Sequence, residues 1–150
     1  MDMFKNYRKK TEVLFGQIGK NVGIPGLELS LNEQSTLYVR GKIDRIDTAE
    51  ANDALWLSVI DYKSSSRQFD LTEAYFGLAM QLITYLDVAL RDATQLLGIG
   101  EQKIKAAGAY YFHVHNPLID PKETQEEERL KAFKYNGLFV DDQTAFELYD

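Results

Sequence analysis

Residues 54–63, ALWLSVIDYK, constrain this chain more than any other stretch. In an extended strand alternate side chains share a face, which places Leu55, Leu57 and Val59 on one side and Trp56, Ser58 and Ile60 on the other. The first row runs on into Asp61 and Lys63, so a carboxylate and an ammonium prolong a core-facing line. Charges in such a place are costly unless they meet a metal or each other. Two readings follow. The pair is an ordinary ion pair closing a strand, or it belongs to a reactive site.

The rest of the chain can supply a fold around that strand. It has 150 residues, 45% of them hydrophobic and 12% aromatic, enough for one globular domain with a core and too apolar for a disordered segment. No run approaches the roughly 20 apolar residues of a membrane helix. Met1-Asp2-Met3-Phe4-Lys5 is not the basic-then-apolar opening of a secretion signal. The absence of cysteine excludes disulfides, thiolate metal sites and cysteine nucleophiles from these residues, and two histidines leave little for a histidine-based metal site. A net charge of −6 argues at face value against a nucleic-acid partner. Its distribution removes that objection. Residues 118–150 hold four basic and nine acidic groups, whereas residues 40–67 hold five of each. The run Glu126-Glu127-Glu128 reads as a solvated helix face or a loose end.

Periodicity and turn residues predict the following order. Phe4, Tyr7, Val13, Leu14 and Ile18 suggest a helix over 4–18. Leu27–Leu31 alternates as a half-buried strand, and Thr36–Asp47 reads as one longer strand after a turn at Asn32–Ser35. A turn at Glu50–Asp53 precedes the strand 54–63. Asp70-Leu71-Thr72-Glu73 resembles a capping box, opening a long apolar helix from Leu71 to about Leu97 that stops at Gly98. Its expected core residues are Tyr75, Phe76, Leu78, Leu82, Leu86 and Leu90, and Gly77 hints at close packing on a sheet. Ala106–Val114 is a further strand closed by Asn116-Pro117, followed by a charged helix from Pro121 to about Tyr135 and then Gly137–Val140. An antiparallel meander with a helical crossover to another strand is an α/β or α+β sandwich, a mixed sheet flanked by helices. The domain core spans about residues 15–117, with 118–150 as an acidic extension of the same single domain.

A second acid gives the Asp61–Lys63 pair a context. In Gly41-Lys42-Ile43-Asp44-Arg45-Ile46-Asp47, Asp44 lies on the strand before the turn, so Asp44 and Asp61 can converge. Converging carboxylates suit a hard divalent cation, and Mg²⁺ commonly uses one or two carboxylates with waters and substrate phosphate. A lysine beside such a cation can hold water and offset developing negative charge. Arg40, Lys42, Arg45 and Arg67 flank these acids and are candidate phosphate contacts, or equally solvated strand charges.

Gly41-x-x-Asp44, then Asp61-Tyr62-Lys63, then a helix carrying Gln81 and Tyr85, resembles the RecB-type branch of the PD-(D/E)XK nuclease superfamily. The wording RGKIDRID, VIDYKSSS and QLITYL is most similar to the AddB (RexB) family of bacterial helicase–nuclease subunits, from about Phe15 to at least Pro117. The resemblance implies a restriction-endonuclease-like fold. It implies Asp44 and Asp61 as metal ligands together with the Tyr62 backbone carbonyl, Lys63 as the residue that orients or activates water, and Gln81 and Tyr85 as companions on the following helix. It also implies an Mg²⁺-dependent exonuclease (Mn²⁺ able to substitute) acting on DNA in double-strand-break repair and recombination, in the bacterial cytoplasm, beside an AddA-like partner subunit. Two departures accompany it. No histidine precedes His113, where such nucleases often carry a polar residue on an earlier helix, and the cysteines that hold an iron–sulfur cluster in full-length AddB proteins are absent. The chain is therefore expected to be an excised piece of a larger subunit.

Other candidates carry blander explanations. His113 and His115 share a strand face but lack a third ligand nearby. Glu73 is explained by helix capping. No G-x-x-x-x-G-K-[ST] loop is present to bind ATP. A scaffold or DNA-binding module that kept the fold without the chemistry, and a Cas4-like or other RecB-family nuclease, remain the alternatives.

Overall fold

A computed structural model describes residues 5–17, 23–63, 71–113 and 136–147. The apolar strand lies at the centre of the sheet. Among the described residues, seven strands, β1 (Lys5–Phe15), β2 (Leu27–Asn32), β3 (Ser35–Val39), β4 (Gly41–Ala51), β5 (Ala54–Lys63), β6 (Ile104–His113) and β7 (Asn136–Phe139), combine with helices α1 (Leu71–Arg91), α2 (Ala93–Leu97) and α3 (Gln143–Glu147). Five strands form one mixed sheet in the order β1-β4-β5-β6-β7, while β2 and β3 form a separate two-stranded sheet. β5 pairs antiparallel with β4 and parallel with β6, the chain crossing between β5 and β6 through α1 and α2. This is the mixed, helix-flanked sheet expected from the sequence.

β5 is buried from Ala54 to Asp61 because both of its faces are covered. On one side Leu57 and Val59 join Val13, Phe15, Ile43 and Ile46 against Leu82, Val88 and Ala89 of α1. On the other, Trp56 packs with Ala51, Ala54, Ala107 and Ala145 of α3, its indole N–H donating to the Ala51 carbonyl. The β4–β5 hairpin closes through Asn52 and Asp53, both at positive φ (50° and 57°), the two-residue turn whose twist matches antiparallel strands.

Several sequence expectations are corrected. Residues 5–15 are a strand, not a helix. Val13 and Phe15 alternate into the core, and backbone pairing with β4 (Val13 opposite Ile43, Phe15 opposite Gly41) outweighs a loose helical spacing. This edge strand is otherwise polar and basic, as edges that resist further pairing are. The segment 36–47 is two strands that part at Arg40, since β3 pairs with β2 and β4 with β1 and β5. β2 is not half-buried, because its hairpin stands off the main sheet and leaves Leu29 and Leu31 exposed. The turn expected at 50–53 is confined to Asn52–Asp53. The long helix breaks at Asp92 into α1 and α2, and Gly98 ends it in the left-handed conformation (φ 61°). Phe76 is 65% exposed rather than core, lying with Met80 and Ile83 on the face of α1 turned from the sheet. Gly77 packs closely against nothing among the described residues. The Asp70 end of the capping box, residues 121–135, Asn116-Pro117 and His115 lie outside the described residues, as do the side chains of Glu73, Tyr75 and His113.

Candidate active site

The ladder between β4 and β5 runs from Ala51–Ala54 to Arg45–Ile60 and stops. Beyond that pair, the Tyr62 N–H donates to Asp44 Oδ2 at 3.0 Å in place of another backbone rung. A residue in an extended strand turns its N–H and C=O toward the same neighbour. The Tyr62 carbonyl therefore faces the β4 side, where Asp44 lies. Ile43 and Ile46, three apart, belong to one buried cluster, so β4 departs from strict alternation at Asp44–Arg45.

Asp61 and Lys63 extend the Leu57–Val59 row toward α1. Asp61 is only 5% exposed, with Oδ2 2.6 Å from Lys63 Nζ. That contact is an ion pair without hydrogen-bond alignment, so Oδ2 has no directed donor. Burial pushes the Asp61 carboxyl above its ordinary range, the neighbouring Asp44 adds to the rise, and Lys63 offsets it only in part. Lys63 Nζ also donates to Gln81 Oε1 at 3.2 Å, and Gln81 Nε2 donates to the Tyr85 hydroxyl at 2.9 Å. Gln81 and Tyr85 stand one turn apart on α1, which brings their side chains into register. The Tyr85 ring meets Phe15 edge-on at 5.6 Å. Gly41 leaves room for this pair, since a Cβ there would lie 2.8 Å from Phe15 Cζ.

The structure thus brings Asp44, Asp61, the Tyr62 backbone, Lys63, Gln81 and Tyr85 together. The four candidate phosphate contacts are dispersed. Arg40 is exposed between β3 and β4, Lys42 pairs with Glu12 at 3.4 Å on the surface, and Arg67 lies outside the described residues. Arg45 grips Asp47 through Nε (2.7 Å) and a terminal nitrogen (2.5 Å).

Sequence reasoning missed Tyr111, whose ring lies 5.4 Å beneath Lys63 Nζ and whose hydroxyl donates to the Leu78 carbonyl of α1. Its position depends on a bulge. Leu57 pairs with Ala106 but Ser58 with Gly108, so the extra residue Ala107 sets Tyr111 rather than Tyr110 opposite Asp61. Burial pushes the Tyr111 phenol well up, keeping it a neutral hydrogen-bond donor.

The donor set suits a divalent cation. Two adjacent carboxylates, one buried with an oxygen lacking a directed donor, and a backbone carbonyl on the same edge are hard oxygen ligands. Among the described residues no three His, Cys, Asp or Glu side chains converge.

Comparison with known proteins agrees with the fold. Residues 4–148 match the PD-(D/E)XK nuclease superfamily. The chain is 52% identical over 143 residues to an ATP-dependent helicase/deoxyribonuclease subunit from Enterococcus faecalis, covering 94% of the chain and 12% of that protein. It is 43% identical over 145 residues to the protein of the same name from Lactiplantibacillus plantarum (95% of the chain, 12% of the relative), and 40% identical over 152 residues to that of Latilactobacillus sakei (93% and 13%). The chain therefore spans about an eighth of the length of these curated relatives. With its mixed sheet, its crossover helix and its match across residues 4–148, the chain belongs to the PD-(D/E)XK nuclease superfamily.

Proposed function

We propose that this chain is the nuclease domain of an AddB-like helicase–nuclease subunit, hydrolysing DNA phosphodiesters with Mg²⁺ during double-strand-break repair in the bacterial cytoplasm, alongside an AddA-like partner. The observation that carries the reading is the convergence of Asp44, buried Asp61 and Lys63 at one sheet edge. Asp44, Asp61 and the Tyr62 carbonyl would hold the cation, which when bound supplies charge stabilisation at the phosphate.

Lys63 has three N–H donors. One is used by Gln81, and the ammonium meets Asp61 Oδ2 as an ion pair without a directed N–H, so donors are left for a water or a phosphate oxygen. The water's oxygen bonds to phosphorus and its proton passes to bulk water, while the bond to the leaving deoxyribose oxygen breaks and that oxygen takes a proton from bulk water. Gln81, held in turn by Tyr85, keeps the ammonium from swinging to solvent.

The test is Mg²⁺-dependent cleavage by the parent complex carrying Asp61→Ala or Lys63→Ala, with folding followed by circular dichroism. Both folded variants are expected to lose cleavage. Undiminished cleavage by a folded Asp61→Ala complex would refute the assignment and leave the domain a scaffold.

A further inference from the structure

Arg45 makes more bonds than an ion pair needs. Two of its nitrogens hold Asp47, which is 1% exposed, and the Tyr7 hydroxyl donates to the same carboxylate at 2.6 Å. The remaining terminal nitrogen donates to the Tyr62 hydroxyl at 3.3 Å. The Tyr62 ring is flanked by Phe112, edge-on at 5.8 Å. Tyr62 is thus fixed at its ring by Arg45 and Phe112 and at its backbone by Asp44. It is also the residue between Asp61 and Lys63, so the two peptide planes flanking it orient both side chains.

From this chain of contacts we infer that Arg45 is a positioning residue. It holds Tyr62 through the phenol and thereby sets the metal-facing edge of β5. The inference rests on the nuclease reading of the site. The guanidinium suits the task because its planar fork grips a carboxylate with one edge and leaves a donor on another, which a lysine ammonium cannot reproduce. Asp47 and Tyr7 anchor the fork from beneath. A phosphate-binding arginine would instead present its fork to solvent. Partners that orient a ligand-bearing segment commonly control metal affinity by about 10–100-fold.

The test measures Mn²⁺ affinity, from the free-ion electron paramagnetic resonance signal, for the wild-type chain, Tyr62→Phe, Arg45→Lys, the double variant and Asp61→Ala. Thermal unfolding without metal is followed in parallel. Tyr62→Phe keeps the ring, the Phe112 contact and the Arg45–Asp47 pair, so it removes one bond without unbalancing the buried carboxylate. Each single variant is expected to weaken Mn²⁺ binding about tenfold, and the double variant no more than the more affected single, because both break one link. Wild-type affinity in Tyr62→Phe, with binding lost in Asp61→Ala, would overturn the positioning role while the nuclease site stands. Losses that add in the double variant would also overturn it, since Arg45 would then act by another route. Wild-type affinity in Asp61→Ala would remove the site itself.

Discussion

Asp61→Asn should make the metal-free protein more stable and the metal-loaded protein less stable than wild type. The carboxyl is 5% exposed, and its proton affinity is raised because burial outweighs the attraction of Lys63. The ionised form is therefore a net cost in the fold even with its partner present. For an acid whose folded pKa lies above its unfolded value, the native state holds the proton more tightly, so stability declines as pH rises through the folded pKa. Above the folded pKa the whole cost is present. Asparagine removes it, along with the like-charge contact to Asp44, for a gain of about 1 kcal/mol and a rise of about 2–4 °C in the metal-free midpoint. In Mg²⁺ or Mn²⁺ the order reverses. A cation at about 100 times its Kd stabilises the wild type by about 2.7 kcal/mol, an upward shift of about 5–10 °C that Asp61→Asn should lack. Differential scanning calorimetry at pH 7, with EDTA and then with Mn²⁺, reads both arms. A lower metal-free midpoint in Asp61→Asn, or an Mn²⁺ shift equal to that of the wild type, would refute the reasoning.

Other consequences are open to measurement. Lys63→Met in the parent complex should cut the single-turnover cleavage rate by about 100-fold or more while Mn²⁺ binding persists, since Asp44 and Asp61 remain. Gly41→Ala drives a methyl to 2.8 Å from Phe15 Cζ and should cost about 1–3 kcal/mol in urea unfolding. Tyr7, 57% exposed overall, is pushed up to about 12 by partial burial of its phenol and by its bond to Asp47, so the stability it contributes is complete below pH 10 and lost between pH 10 and about 12. Ultraviolet titration of wild type against Tyr7→Phe should isolate that late phenol, and stability against pH should show the loss only in the wild type.

The central strand was legible at its true limits, Ala54 to Lys63, because turn residues bound an alternating apolar run. Asp44 and Asp61 could be brought together from the hairpin alone, and Gln81 and Tyr85 from helical spacing. What stayed hidden depends on partners far away in the chain. β1 pairs Val13 with Ile43, thirty positions on, and its outward side chains carry no periodicity of their own. The bulge at Ala107 decides which tyrosine backs Lys63, and no spacing rule announces it. The exposure of β2 follows from its hairpin leaving the sheet, which Leu27–Leu31 cannot signal by themselves. α3 is too short for periodicity to mark, and Ala145 is buried only because Trp56 and Ala107 meet it. The Arg45–Asp47 pair did leave a signal, since opposite charges two apart on a strand share a face, but the surrounding basic residues pointed to phosphate.

The most direct test of the metal site is anomalous diffraction from crystals of the chain soaked in Mn²⁺. A peak is expected about 2.1 Å from oxygens of Asp44 and Asp61 and from the Tyr62 carbonyl, absent from Asp61→Ala crystals. A peak elsewhere, or an empty site between well-ordered Asp44 and Asp61, would contradict a two-carboxylate nuclease centre.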